Sequence, residues 1–199
     1  MLSQSAIDDY LAQALALWRR VYSEDSGMTA NDQELNSLKG LWLVSLYAAL
    51  EYAVNSLVKQ SLTHIEGTGI RYNECRLELQ PILHGSRVQS IRDCSPSKSH
   101  SAAFDFIMAT ASQQEIVRVG HPLSRVLQNV DGHSIQLVAR LFGIYNYQLE
   151  KPALVKLNNL KERRNAVAHG RETAAQAGQT FNLSSMKDIY DVTDYEIQR

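Results

Sequence analysis

From Leu35 to Val58 the apolar residues Leu35, Leu38, Trp42, Leu46, Leu50, Val54, Leu57 and Val58 recur at three- and four-residue intervals. This is the repeat of one helix face, and a run this long excludes a strand. Asn31 or Asp32 can cap its start, and Gly67 and Gly69 follow an end near Ile65, so the spacing predicts one long helix. Its most apolar part, Leu41 to Val54 (LWLVSLYAALEYAV), is interrupted by Ser45 and Glu51. A membrane-spanning helix needs roughly 18 or more apolar residues. The run therefore reads as a buried core helix, and no membrane partner is expected.

The rest of the chain reads the same way. A first helix is predicted over 3–23, with Ile7, Leu11, Leu15 and Trp18 in phase, broken by Ser-Glu-Asp-Ser-Gly. Residues 66–101 carry glycines, Pro81, Gly85 and a Ser/Pro/Lys/Ser/His run, which predicts loops holding one short helix. Helices follow over 102–117 and, after a Gly-His-Pro turn at 120–122, over 132–146. The next starts at Pro152, a favoured first-turn residue, and runs to about His169, with Gly170 placed to end it. A last helix starts at Ser184, with Ser184 or Ser185 as its cap. Period-two alternation is almost absent, and four prolines and ten glycines are too few for a chain of many short strands. The expected fold is all-α: an antiparallel helical bundle, one domain over 1–199, with a helical and loop insertion in the middle. Residues 66–150 are its least readable part.

A net charge of −1 argues against an extended nucleic-acid surface, but the charge is unevenly spread. Residues 1–60 carry four positive and seven negative side chains, residues 172–199 two and five, and residues 115–171 nine and four. A local basic stretch suits a transient phosphate binder, because affinity for a polyanion follows the local field. A solvated helix face fits the same numbers, and Arg118, Arg125 and Arg140 are read as surface before they are read as an RNA path. The N-terminus is acidic where a secretory signal is basic. Cys75 and Cys94 lack C-x-x-C spacing, which points to a reducing, cytoplasmic setting. A zinc site from these thiols with His84 or His100 is the disfavoured alternative, and no cofactor or metal is expected.

The chemistry concentrates in Pro152–Gly170, PALVKLNNLKERRNAVAHG. The buried face of this helix should run Leu154, Leu157, Leu160, Arg164, Val167 and Ala168, which puts Arg164 in the apolar stripe. A buried arginine requires a carboxylate, a phosphate or a subunit interface. Lys161 and Arg163 point away and read as solvated charges. Glu51 is the single ionisable side chain in 41–54 and also requires a partner. Glu51 and Arg164 suit each other, and a plain structural salt bridge is one reading of the pair. His169 opens another. It follows Asn165 by four residues, and imidazole can take a proton from one oxygen and give it to another near neutral pH. Guanidinium binds phosphate oxygens in a fork. Together they are the minimum set for attack of an RNA 2′-hydroxyl on its neighbouring phosphate without a metal. The Arg-x-x-x-x-His spacing is by itself unspecific, since a histidine at a helix end commonly serves the helix dipole.

The segment LKERRNAVAHG resembles the signature of the HEPN superfamily, with Arg164, Asn165 and His169 at its marked positions. LYAALEYAVNSLV (residues 46–58) is similar to the acidic-residue helix of the same superfamily, particularly its MAE_28990-like and RiboL-PSP-type branches, and places Glu51 at the acidic position. The resemblance implies a helical bundle that dimerises, bringing two Arg-Asn-x-x-x-His motifs into one cleft. Arg164 would then hold the scissile phosphate and His169 act as general acid/base or position the 2′-hydroxyl. Asn165 would bond the backbone or the facing histidine, and Glu51 would orient Arg164. It implies a metal-independent endoribonuclease leaving 2′,3′-cyclic phosphate ends, a toxin or antiviral defence effector with RNA as substrate and an antitoxin or defence-system protein as partner. A composite site also answers a geometric objection, because Arg164 and His169 lie about 140° apart on a straight helix. Where related domains often finish with a longer helix, the chain after the motif is short and acidic. Two competitors remain: a non-catalytic dimerisation or nucleotide- or partner-binding module, and a helical scaffold with a structural Glu51–Arg164 pair.

Overall fold

The computed structural model describes residues 4–26, 32–112, 115–118, 123 and 126–199. The described residues form nine α-helices and no strand: α1 (Gln4–Ser26), α2 (Asp32–Gly67), α3 (Gln80–Leu83), α4 (Gly85–Asp93), α5 (Pro96–Ser112), α6 (Gly132–Leu141), α7 (Lys151–Ala168), α8 (Ala174–Gln179) and α9 (Leu183–Gln198). Short 3-10 turns lie at Tyr72–Glu74, Leu77–Leu79 and Val126–Asn129. The all-α expectation holds.

The fold is organised around α2. Its 36 residues make it long and apolar enough to cross a membrane by length and composition. Here, however, α1, α7, α8 and α9 pack against it. Trp42, Leu43, Leu46 and Tyr47 are wholly buried, as is nearly all of Leu50. Helices contact α2 on several sides, so Leu43 and Tyr47 are buried although they lie outside the predicted stripe, while Leu57 within that stripe is exposed. On α1, Ile7, Leu11, Ala14 and Val21 face the core.

Among the described residues, the glycine contacts are tightest where α2 crosses α8. A Cβ added at Gly40 would run into the backbone carbonyl of Ala174, and one at Gly178 into that of Asn36. Two glycines facing across the crossing let the backbones touch. Helix α8 was not foreseen from the sequence, although Thr173 and Gln176 form a capping box at its start.

The middle of the chain is more helical than its Gly and Pro content predicted. Pro81 and Pro96 do not break helices but stand in the first turns of α3 and α5, where a missing N–H costs nothing. Helix α5 starts six residues before the expected 102 and ends at Ser112, short of the expected 117. Ile116 instead bridges Arg71 in antiparallel fashion, with Val117 N–H donating to the Ile70 carbonyl at 2.9 Å. The Gly-His-Pro turn, Asn31 and Arg125 lie outside the described residues. Helix α6 ends at Leu141 rather than 146, because Gly143, at φ 76°, closes a Schellman cap with Ile144 N–H on the Ala139 carbonyl. The cap of α9 is Asn182, not Ser184 or Ser185, since the Asn182 side chain accepts from Ser185 N–H at 2.8 Å.

The insertion has its own small core of Tyr72, Cys75, Leu83 and Val117. His84, 4% exposed, stacks on Tyr72 at 4.8 Å and meets the edge of Phe106 at 5.3 Å. Its Nε2 is buried without a hydrogen-bond partner among the described residues. Burial, helped by the Arg87 charge, pulls this imidazole below its ordinary pKa. The unfolded chain therefore binds the proton at a higher pH than the folded one, and stability falls as pH drops below about 6.5, the unfolded value. His84→Phe keeps the ring stack and removes the titration. Thermal midpoints measured at pH 7.5 and pH 5.5 should fall less for His84→Phe than for the parent, with no loss at pH 7.5.

Candidate functional site

Three elements build the site: α2 supplies Tyr47 and Glu51, one turn apart on one face; α7 supplies Arg164 and Asn165; the Val126–Asn129 turn supplies Asn129. Arg164 Nη2 donates to Glu51 Oε2 at 2.7 Å, with each side chain about a quarter exposed, at 23% and 24%. Its Nη1 donates to Asn165 Oδ1 at 2.9 Å. The guanidinium carbon stands 4.4 Å from the Tyr47 ring centroid, in cation–π contact. The expected Glu51–Arg164 pair is thus formed, bridging 113 positions of sequence. These two bonds use two of the five guanidinium N–H donors.

Burial pushes the Glu51 carboxyl above its usual range even with the Arg164 charge pulling it down. The Tyr47 hydroxyl is buried without a well-formed hydrogen bond, and burial, with Glu51 close by, drives its pKa upward. Tyr47 therefore stays neutral and serves as an apolar plate under the guanidinium. Sequence reading missed it, although its place four residues before Glu51 on one helix face was a usable signal.

Helix α7 ends as expected. Gly170 adopts φ 68°, Arg171 N–H donates to the Ala166 carbonyl at 2.9 Å and Gly170 N–H to the Val167 carbonyl at 3.1 Å, the two bonds of a Schellman motif. His169 is its C-cap residue. The imidazole is exposed and makes no hydrogen bond or ion pair among the described residues. Among the described residues, no side-chain hydrogen bond or ion pair joins the imidazole to the Glu51–Arg164–Asn165 cluster. Leu157 and Leu160 are buried as expected, but Ala168 is exposed and Ala166 is buried in its place.

Lys161 and Arg163 are not solvated charges. Lys161 Nζ donates to Asp131 Oδ2 at 2.8 Å, with side chains 19% and 16% exposed. Burial alone would raise the Asp131 pKa, but hydrogen bonds from Lys161 and Ser134 outweigh it and hold the carboxyl low. Arg163 Nη1 donates to both oxygens of Glu172, at 3.0 and 3.1 Å, tying the end of α7 to the start of the next loop. Lys156 pairs with Asp188 at 3.6 Å. Four of the nine basic residues of 115–171, Lys156, Lys161, Arg163 and Arg164, are thus paired with carboxylates, while Arg118, Arg140, Lys151 and Arg171 remain exposed. Cys75 and Cys94 are free thiols, and the described residues hold no group of three or more His, Cys, Asp or Glu able to take a metal ion.

The described residues thus form a helical bundle in which a carboxylate-braced arginine lies near the end of one helix and an exposed histidine caps it. The family model described as RiboL-PSP-HEPN matches residues 20–197, and the chain belongs to that family. Comparison with individual curated proteins and with solved structures gives no match.

Proposed function

We propose that this chain is a metal-independent endoribonuclease in which Arg164 and His169 act on one RNA phosphodiester. The observation that carries this reading is the state of Arg164. It is braced by a carboxylate, an amide and an aromatic face, yet keeps N–H donors unspent and part of its surface open. A plain salt bridge needs no such bracing, whereas a preorganised phosphate ligand does, because donors fixed in advance need no reorganisation as charge develops. His169 supplies an imidazole free to exchange a proton. In the reaction a base removes the 2′-hydroxyl proton, the 2′-oxygen attacks phosphorus, and the 5′-oxygen leaves and is protonated. The products are a 2′,3′-cyclic phosphate and a 5′-hydroxyl. Asn165 and Glu51 orient Arg164. Because His169 does not meet Arg164 within one chain, a homodimer that places the partner's motif opposite completes the site. A cytoplasmic toxin or defence effector, held in check by an antitoxin or defence-system protein, suits such an activity.

The test is incubation of the purified chain with tRNA and total RNA in EDTA. Cleavage with cyclic-phosphate ends is expected, with Arg164→Lys reduced at least about tenfold because a point charge does not replace the fork. Intact RNA would overturn the reading. A non-catalytic binding and dimerisation module would then stand, which the near-neutral charge and the paired cations of 115–171 favour.

A further inference from the structure

Arginine can only donate, so the bond from Arg164 Nη1 requires that Asn165 present its carbonyl oxygen to it. The Asn165 amide nitrogen then faces the other way, where it donates to Asn129 Oδ1 at 3.0 Å. The three side chains form one directed chain of hydrogen bonds, from guanidinium through the Asn165 amide to the Asn129 oxygen, whose polarity is set by the guanidinium, which can only donate.

Asn129 is itself exposed, but its backbone is not free to move. Leu127 and Val130 on either side are buried, at 1% and 0% exposure. The Leu127 carbonyl accepts from Asn55 of α2 at 3.2 Å, and Gly132 N–H donates to Asn158 of α7 at 3.1 Å. The Lys161–Asp131 pair closes the same segment onto α7. The turn is thus clamped between α2 and α7, and Asn129 is delivered to Asn165 with little entropy left to lose.

We infer that Asn129 is a positioning residue of the RNA-cleaving site, fixing the Asn165 amide so that the Arg164 guanidinium is held in its phosphate-binding orientation. This rests on the ribonuclease reading for its consequence, but not for its geometry. Asn129 touches neither Arg164 nor a reacting atom, so it acts through Asn165.

Two readouts on the full chain test it. In the 15N-labelled protein, the Asn165 side-chain amide and the Arg164 guanidinium should give distinct, slowly exchanging signals. Asn129→Ala should collapse them, and Asn129→Asp, which retains an acceptor oxygen, should keep them. In cleavage assays Asn129→Ala should lower kcat about tenfold with KM within about twofold, since misplacement of a catalytic group acts on the reacting geometry. Asn129→Asp should recover kcat while raising KM, because its charge repels the substrate phosphate. Unchanged Asn165 and Arg164 signals in Asn129→Ala, or an unchanged kcat in an active enzyme, overturn the inference. Signals that change as described in a protein that cuts no RNA would defeat the ribonuclease reading and leave the positioning of Arg164 intact.

Discussion

Replacing His169 with alanine should lower RNA cleavage by about 10²–10⁴-fold, the range of a lost general acid/base, while leaving the thermal midpoint within about one degree. This follows from where the side chain sits. What holds the end of α7 is the Arg163–Glu172 pair and the backbone: His169 N–H on the Asn165 carbonyl at 3.0 Å, Gly170 in the left-handed region, and Arg171 N–H on Ala166. The imidazole takes no part in any of these and is exposed. Alanine can occupy the same φ of −93° and ψ of 7°. Arg164→Ala should behave differently. It strands the Glu51 carboxylate among apolar neighbours, and removing one partner of a well-buried pair costs about 3–5 kcal/mol. With a quarter of each side chain in water the loss should be nearer about 2 kcal/mol. Cleavage rates and differential scanning fluorimetry on the two variants separate the readings. A scaffold with a structural salt bridge predicts that only Arg164→Ala has any effect.

The second large effect lies away from the proposed chemistry. Gly178→Ala and Gly40→Ala should each lower stability by about 3 kcal/mol or more, the upper part of the range for overpacking. At two to four degrees per kcal/mol for a chain of this size, the thermal midpoint drops by about 6–12 °C. The obstacle at each site is a backbone carbonyl, not the flexible end of a side chain, so only separation of α2 and α8 relieves it. Gly67→Ala is the control, since a Cβ there meets nothing within 4 Å and the change should be neutral or slightly stabilising. Cleavage should suffer along with stability. Helix α8 follows the His169 turn by a few residues, and Glu172 between them anchors Arg163 of α7, so a displaced α8 pulls on the end of the helix that carries the motif. A Gly178→Ala protein that melts with the parent would show that the two helices do not cross as described.

The sequence alone determined the long helix α2, the end of α7 and the meeting of Glu51 with Arg164. Each rests on information carried locally: a three-and-four apolar repeat, a glycine after the last helical position, and a lone charge in each of two apolar faces that must find its opposite. Local reasoning failed wherever a residue type has two uses. Pro81 and Pro96 were read as breakers, but proline is equally at home in a first turn, and only the flanking contacts tell which applies. Lys161 and Arg163 were read as solvated because they lie off the apolar stripe. Their carboxylates, Asp131 and Glu172, come from segments whose paths the pattern does not fix. Helix α8 was missed because six residues carry too little periodicity, although its capping box was in plain view. Tyr47 was within reach of a helical-face argument, and Asn129 was not. Its role exists because α2 and α7 clamp a turn 36 positions from Asn165. Periodicity encodes which face of a helix is buried. Which distant groups meet over that face is decided by how the helices cross, and here two glycines at the α2–α8 contact help to set that crossing.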